Sequence, residues 1–504
     1  MFRIFGPPGT GKTTTLLNMV DEQLQKGTNP NHIAFLAFTR KAANEAKERA
    51  SKRFGLDPEK DLCFFRTLHS MALSLTEIRP EQVMSGIHYQ ELSNKIGISL
   101  GRAPSADTEL QDLQNGDHPI INTINLARLK KVDIRQLYNE TYIDYDWNTV
   151  NYVHQCYKEY KLQKNVYDFT DMLQSFVDTA DRCCPTFQVT FLDEAQDLSP
   201  LQWDIAHALD KKSNFMFAAG DDDQAIFRWA GADVDHFITL DGSSETLSQS
   251  YRVPRSIHAI AEQIAARIKH RYPKKYQPKQ ENGTVKHIAR IDDLDLSDGQ
   301  WLILAQAGYI LKPVAETLKS LGMLFNYKGH RSISARISAA VNGWEQLRKG
   351  KSITLEAARD VYSYMSTGTR VKRGFKKLSG LDSDALLDLN LLQEHYGLLI
   401  GDELIWHKAL DRLPEEQRVY ITALLRRGEK FNAEPRITVS TIHGSKGGEA
   451  DNVILFTDLS PAADEAFRVG NDDVHRVFYV AVTRAKENLY IIEPEDNNES
   501  PQLS

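Results

Sequence analysis

The sequence predicts an α/β protein with two parallel-sheet cores, each interrupted by a mainly helical insertion. Three observations predict it. Short apolar runs rich in β-branched and aromatic residues recur at 2–5, 33–39, 187–192, 215–219, 301–305, 437–441, 452–456 and 489–492. Several of them run straight into a helical pattern, as strand–helix units of a parallel sheet require. The strand pattern lapses twice, over 76–164 and 341–431, where helical segments alternate with polar loops. No internal repeat is visible, although the two halves share this plan. At 504 residues the chain exceeds one ordinary domain.

The first strand meets Gly6-Pro7-Pro8-Gly9-Thr10-Gly11-Lys12-Thr13, followed by a helical stretch from Thr14 to Gln25 with Leu16, Leu17, Val20 and Leu24 at helical spacing. This is the strand–loop–helix context in which G-x-x-x-x-G-K-[ST] holds a polyphosphate. The glycines turn backbone N–H groups inward and the helix N-terminus adds positive potential. Lys12 is expected to reach the β/γ-phosphates and the Thr13 hydroxyl to ligate Mg²⁺.

The second strand runs into Arg40 and an Ala/Lys/Glu-rich helix to Phe54, and Cys63 to Ser70 reads as a strand end with a polar loop. The stretch 101–119 reads as loop, and the tail from Glu493 as disordered. The strand at 187–192 ends in Asp193-Glu194-Ala195-Gln196-Asp197, two adjacent carboxylates at the carboxyl end of a strand, where ligands bind in open α/β sheets. Asp193 is placed to hold Mg²⁺ and Glu194 to polarise an attacking water. The next strand leads into Gly220-Asp221-Asp222-Asp223-Gln224-Ala225-Ile226-Phe227-Arg228-Trp229. Gln224 suits a sensor of the γ-phosphate or of water. Phe227 and Trp229, two apart, share a face in extended chain and offer base stacking. Arg252 follows Tyr251, and Arg484 lies far downstream; as permanently charged forks, two such arginines suit a triphosphate approached from a second domain. A loop rich in small residues, His443-Gly444-Ser445-Lys446-Gly447-Gly448-Glu449, permits close approach to a phosphate backbone or ribose.

Composition bounds the rest. Hydrophobic residues make up 41% and charged ones 26%, ordinary for globular cores. No apolar run approaches the roughly 20 residues of a membrane span, and the motif at the very start leaves no signal peptide expected. The four cysteines form no CxxC pair, against a zinc site or a disulfide framework, and fit a reducing cytoplasm. A net charge of −7 argues against a passive, whole-surface nucleic-acid binder but not against a basic channel inside an acidic shell.

Together these residues resemble the superfamily 1A DNA helicases of the UvrD/Rep/PcrA type, over roughly 1–75, 165–340 and 432–504. The resemblance implies two RecA-like P-loop domains: 1A (1–75 and 165–250) with insertion 1B (76–164), and 2A (251–340 and 432–504) with a shortened insertion 2B (341–431). It implies ATP as substrate with Mg²⁺, the nucleotide held by Gly6, Pro7, Pro8, Gly9, Thr10, Gly11, Lys12, Thr13 and Thr14. The matching motifs give Tyr251 to adenine, Arg252 and Arg484 to phosphate and Glu449 to ribose. Lys12, Asp193, Glu194, Gln224, Arg252 and Arg484 become the catalytic set. Single-stranded DNA is implied at Phe38, Thr39, His69, Phe227, Trp229 and His443. Tyr167-Asp168-Phe169-Thr170-Asp171-Met172-Leu173 is similar to the family's short motif before Asp193.

Departures are visible. The family carries a Gln-containing adenine reader upstream of the phosphate loop; this chain begins at the strand, so adenine selectivity is expected to rest on Tyr251. Gly448 stands where Leu is usual, and Ala230 where a second arginine is common. The implied function is an ATP-dependent helicase moving 3′-to-5′ on single-stranded DNA. Its implied substrates are single-strand tracts and single/double-strand junctions, and its implied partners are replication or repair proteins in a bacterial or phage-infected cytoplasm. Two alternatives stand beside it: a translocase that displaces proteins with little unwinding, and an ATP-gated DNA-binding or assembly module. The cluster Arg370, Lys372, Arg373, Lys376 and Lys377 falls in the insertion that the family sets against duplex DNA.

Overall fold

The computed structural model describes residues 1–101, 118–430 and 433–494. The expected loop at 102–117 and the tail beyond 494 lie outside the described residues.

Six parallel strands form the first sheet, in the order β3-β2-β4-β5-β1-β6: β1 Phe2–Phe5, β2 Ile33–Ala37, β3 Phe65–Thr67, β4 Phe187–Leu192, β5 Ser213–Gly220 and β6 Ser244–Thr246. All five residues of β2 are buried, as the unbroken apolar run of a central parallel strand demands. Helices Lys12–Gln25 and Arg40–Phe54 cover one face and helices Leu68–Leu75, Phe169–Cys183 and Pro200–Lys211 the other. Because the strands are parallel, the loops after β1, β4 and β5 leave the same edge side by side. That places the phosphate loop, Asp193–Asp197 and Asp221–Gln224 together.

The second sheet has seven strands in the order β10-β9-β13-β8-β14-β15-β7: β7 Thr284–His287, β8 Trp301–Ala305, β9 Phe325–Tyr327, β10 His330–Arg331, β13 Ile437–Thr441, β14 Ala450–Phe456 and β15 Ala485–Ile492. All neighbours are parallel except the β9–β10 hairpin. Helices Arg255–Ala265 and Asp472–Val482 pack on one face.

One expectation changes. Cys63 to Ser70 holds the expected strand end but no polar loop: β3 is followed at once by helix Leu68–Leu75, whose N-cap Thr67 accepts from Ser70 N at 3.2 Å. The spacing Leu68, Met71, Ala72 buries that helix and decides the matter. Among the described residues the second insertion shares its core with the sheet: Trp344, Tyr362 and Trp406 lie in one apolar cluster with β8, β9 and β13. It also carries an antiparallel ribbon, β11 Ile353–Thr354 with β12 Leu386–Leu387. The chain after helix Arg255–Ala265 returns to the first sheet, where Tyr272 stacks on Phe5 at 3.9 Å.

The first insertion does keep a separate core, around Tyr89, Ile121, Val153 and Tyr157. A buried ion cluster fastens it. Asp168 caps helix Phe169–Cys183 and takes Arg128 Nη1 at 2.7 Å, Lys161 Nζ at 2.5 Å and Tyr157 OH at 2.9 Å. Burial alone would raise the Asp168 carboxyl; Arg128 and Lys161 outweigh it and hold it below the usual carboxylate range.

Candidate functional site

The phosphate loop hangs from β1 by Gly6 N donating to Gly220 O at 2.9 Å. Gly9 and Gly11 take φ of 72° and 76°, the left-handed region open to glycine. Helix Lys12–Gln25 starts at Gly11 without a side-chain cap, so its first amides face the loop as anion donors. Thr10 closes the turn, its Oγ1 donating to Pro7 O at 2.8 Å, while Thr14 lies exposed on the first helical turn. Lys12 Nζ lies 2.6 Å from Glu194 Oε1 and 3.5 Å from Asp193 Oδ1. Burial opposes its charge, but the two carboxylates outweigh burial and raise its pKa. Thr13 Oγ1 donates to Asp193 Oδ2 at 2.8 Å. Glu194 sits at φ 58°, a conformation a non-glycine residue holds only where its surroundings impose it. Burial pushes its carboxyl up, yet Lys12 and Lys446 bring it down to about 2.

Residues leading into the second sheet close over this loop. Ser250 Oγ donates to Pro8 O at 2.7 Å and Tyr251 N to Gly9 O at 2.8 Å. A Cβ at Gly9 would stand 2.3 Å from Arg252 Cβ, so the contact itself requires glycine. Arg252 pairs with Glu449. Its Nε is buried and finds no hydrogen-bond partner among the described residues. Arg484 donates from Nη2 to Gln224 Oε1 at 2.6 Å and from Nη1 to Gly448 O at 3.3 Å. Burial, then Arg252 beside it, pushes the Arg484 guanidinium down to about 9. The Tyr251 ring is 75% exposed at the rim, an open plate for stacking.

This arrangement fits a triphosphate. Two crowded guanidiniums, an orphaned Nε, a lysine and uncapped helix amides converge, and all are donors or cations. It also fits Mg²⁺, since the Thr13 hydroxyl and Asp193 carboxylate are the hard oxygen donors that ion takes alongside phosphates. Among the described residues no group of three His, Cys, Asp or Glu side chains could hold a metal by itself.

Beside the cleft the two sheets share an aromatic cluster. Phe38 stacks on Phe227 at 5.9 Å; Phe227 lies 6.3 Å from both Trp229 and His443, and Trp229 meets His443 edge-on at 6.1 Å. The expectation that Phe227 and Trp229 share a face in extended chain is corrected. Phe227 precedes a 3₁₀ turn, Arg228–Ala230, which sets the two rings edge to face at 64° instead of side by side. Phe227 is 3% exposed and packs into the second sheet's core, whereas Trp229 is 37% exposed. The Thr39 hydroxyl caps helix Arg40–Phe54, accepting from Ala42 N at 3.2 Å. His69 stands apart from the cluster, edge-on to Phe169 at 6.2 Å.

Lys446, read from sequence only as part of a small-residue loop, joins the halves. It donates to Asp197 Oδ2 at 2.5 Å and Gln224 O at 2.7 Å and lies 5.0 Å over the Phe227 ring. Nearby His443 is pushed down to about 4 by burial and then by Lys446. It is neutral in the fold, while an unfolded histidine titrates near about 6.5. Its contribution to stability is therefore full above about pH 6.5 and is lost as pH falls toward 4. Urea unfolding from about pH 7 to about pH 4 is expected to show wild type losing more stability than His443→Asn.

In the second insertion, Lys376 and Lys377 line an open groove of ≈ 640 Å³ with Arg336, Arg359, Ser363 and Ser379. Arg370 turns away, donating to Lys408 O at 3.2 Å.

The family profile described as UvrD/REP helicase N-terminal domain matches residues 2–244, and that described as UvrD-like helicase C-terminal domain matches residues 410–495. The chain is 24% identical over 307 residues to the ATP-dependent DNA helicase PcrA of Bacillus subtilis, covering 58% of this chain and 41% of that one. It is 25% identical over 285 residues to PcrA of Leuconostoc citreum, covering 54% and 38%. The matched region thus spans about two fifths of these relatives' length. A solved chain titled "The structure of PRRSV helicase" aligns with 99% of this chain and 54% of its own at 12% identity, with a TM-score of 0.33. The two profiles cover the phosphate loop, Asp193–Glu194, Gln224 and Arg484, the residues brought together across the two sheets, and the chain belongs to the UvrD/Rep helicase family.

Proposed function

We propose that this chain is an ATP-dependent DNA helicase that moves 3′-to-5′ on single-stranded DNA and opens duplex at single/double-strand junctions, in replication, repair or recombination. One observation carries the reading: the cleft is split. Lys12, Thr13, Asp193 and Glu194 come from the first sheet and meet Arg252 and Arg484 from the second. Residues 1–75 with 165–250 and 251–340 with 432–504 act as the two motor domains.

In this reading the loop amides and Lys12 hold the β/γ-phosphates, and Thr13 with Asp193 holds Mg²⁺, which neutralises charge on the phosphates. Glu194 orients and polarises the attacking water. Tyr251 stacks on the base and Glu449 holds the ribose. Arg252 and Arg484 reach the γ-phosphate only with the cleft closed, so hydrolysis removes the tie between domains. Lys446 and the Phe38–Phe227–Trp229–His443 cluster span the same seam and pass opening and closing to the DNA strand. Trp229 is the accessible stacking ring; Phe227 supports it from behind.

Trp229→Ala is expected to weaken single-stranded DNA binding by about 1–3 kcal/mol, more than it alters hydrolysis without DNA. Phe227→Ala is expected instead to lower stability by about 3 kcal/mol. Fluorescence anisotropy with a labelled oligonucleotide and thermal unfolding separate the two. The reading as a whole is tested by ATPase and strand-displacement assays on duplexes with 3′ or 5′ tails. Unwinding from the 3′ tail alone is expected, and absence of DNA-stimulated turnover would sink it.

The second insertion's shared core favours one rival. An insertion fused to its motor domain has less freedom to clamp a duplex, which suits a translocase that strips proteins from DNA. Protein displacement without strand displacement would select that rival.

A further inference from the structure

Behind Gln224 lies a charge cluster with no part in the chemistry above. The loop after β5 buries three consecutive carboxylates, Asp221, Asp222 and Asp223, at 0% exposure. Like charges so placed are costly unless paired. Their cations arrive from the chain beyond helix Arg255–Ala265. Lys274 Nζ, its side chain 1% exposed, lies 3.2 Å from Asp221 Oδ1, 2.6 Å from Asp222 Oδ1 and 2.7 Å from Asp223 Oδ2. Arg271 takes Asp223 in a fork, Nε to Oδ1 at 2.8 Å and Nη2 to Oδ2 at 2.5 Å. Arg476 Nε, from helix Asp472–Val482, donates to Asp222 O at 3.0 Å.

The two oxygens of Asp221 have separate duties. Oδ1 faces Lys274 and accepts from Asp223 N at 3.3 Å; Oδ2 accepts from Gln224 Nε2 at 2.7 Å. A carboxylate only accepts, so the Gln224 amide nitrogen must point back to it and Oε1 must point away. On the far side Arg484 Nη2, which only donates, meets that Oε1 at 2.6 Å. Both neighbours dictate the same amide orientation. An oxygen facing the cleft can accept from Arg484 or from a water, but it cannot bond a phosphate oxygen, which is itself an acceptor.

We propose that Lys274 is a positioning residue for nucleotide hydrolysis: by fixing Asp221 it holds the Gln224 amide with its oxygen toward Arg484 and the attacking water. The inference rests on the hydrolytic reading above. It ties the water-facing amide to the segment carrying Tyr272 and Lys274, which joins one motor domain to the other.

Asp221→Asn is the discriminating variant. Lys274 and Asp223 N claim the asparagine oxygen, so its NH₂ group faces the Gln224 NH₂ group, and the Gln224 amide turns over. In the full chain, kcat for single-stranded-DNA-stimulated ATP hydrolysis is expected to fall by about tenfold or more, with KM for ATP within about twofold. In a Gln224→Ala background the same change is expected to add nothing, because Asp221 acts through that amide. Lys274→Met removes the cation directly. Among the described residues it leaves Arg271 as the one side chain ion-paired with these carboxylates, so thermal unfolding is read first, and Asp221→Asn decides if it does not fold. Wild-type kcat in Asp221→Asn or in folded Lys274→Met overturns the proposal, as does a loss that adds in full to that of Gln224→Ala. A wild-type chain without DNA-stimulated turnover overturns the hydrolytic reading itself.

Discussion

Lys12→Ala is expected to bring ATP turnover to about 1% of wild type or less, the scale of losing one preorganised charge from a transition-state site. Lys12 is the cation against which two carboxylates are balanced, 2.6 Å from Glu194 and 3.5 Å from Asp193. Removing it subtracts the point charge proposed to meet the phosphates. It also leaves Asp193 and Glu194 facing each other with less compensation, so both carboxyls rise and each becomes a poorer ligand or base. Breaking a buried pair costs about 3 kcal/mol in stability, so thermal unfolding must accompany the kinetics. The expected pattern is a folded variant with a lowered melting point and no measurable strand displacement. A Lys12→Ala chain that still unwinds DNA would remove the basis for the proposed function.

That the phosphate loop and Asp193-Glu194 meet is legible in the sequence, because each follows a strand of one parallel sheet. A glycine loop between a strand and a helix has few other uses, and a parallel sheet delivers its loops to one edge wherever they lie in the chain. Phe227 and Trp229 were half legible. Their types point to stacking, but a turn of three residues decides which ring is buried, and nothing in Phe227-Arg228-Trp229 announces that turn. His69 reads as loop because β3 is only three residues long and the helical spacing behind it is brief. Lys274 was not legible at all. In Lys269-His270-Arg271-Tyr272-Pro273-Lys274-Lys275 it looks like one of several solvated cations, and its carboxylates lie some fifty positions upstream. Charge pairing across such a distance is set by tertiary docking, here the return of this segment to β1 through Tyr272 and Phe5.

Arg484→Ala is expected to lower kcat by about 10³-fold while nucleotide affinity changes only a few-fold, the signature of an arginine that meets charge mainly in the transition state. Arg484 is held in a buried position that pushes its guanidinium down to about 9, with Arg252 as an added repulsion. Glu194 and Glu449, the latter paired with Arg252, offset part of that cost, and in the proposed function the γ-phosphate is the anion received between the two cations. The same side chain donates to Gln224 Oε1 at 2.6 Å across the seam between the sheets. Its loss therefore removes the proposed phosphate donor and a link between the two sheets in one step. Arg484→Lys is not expected to rescue, because one ammonium cannot serve Gln224, Gly448 and a phosphate oxygen as a fork does. Single-turnover kinetics beside equilibrium binding of a fluorescent ATP analogue separate the outcomes. Slow chemistry with near-normal binding supports the role, whereas proportionate loss of both would make Arg484 a ground-state binder. Near-normal chemistry would mean that the seam closes over the nucleotide without its help.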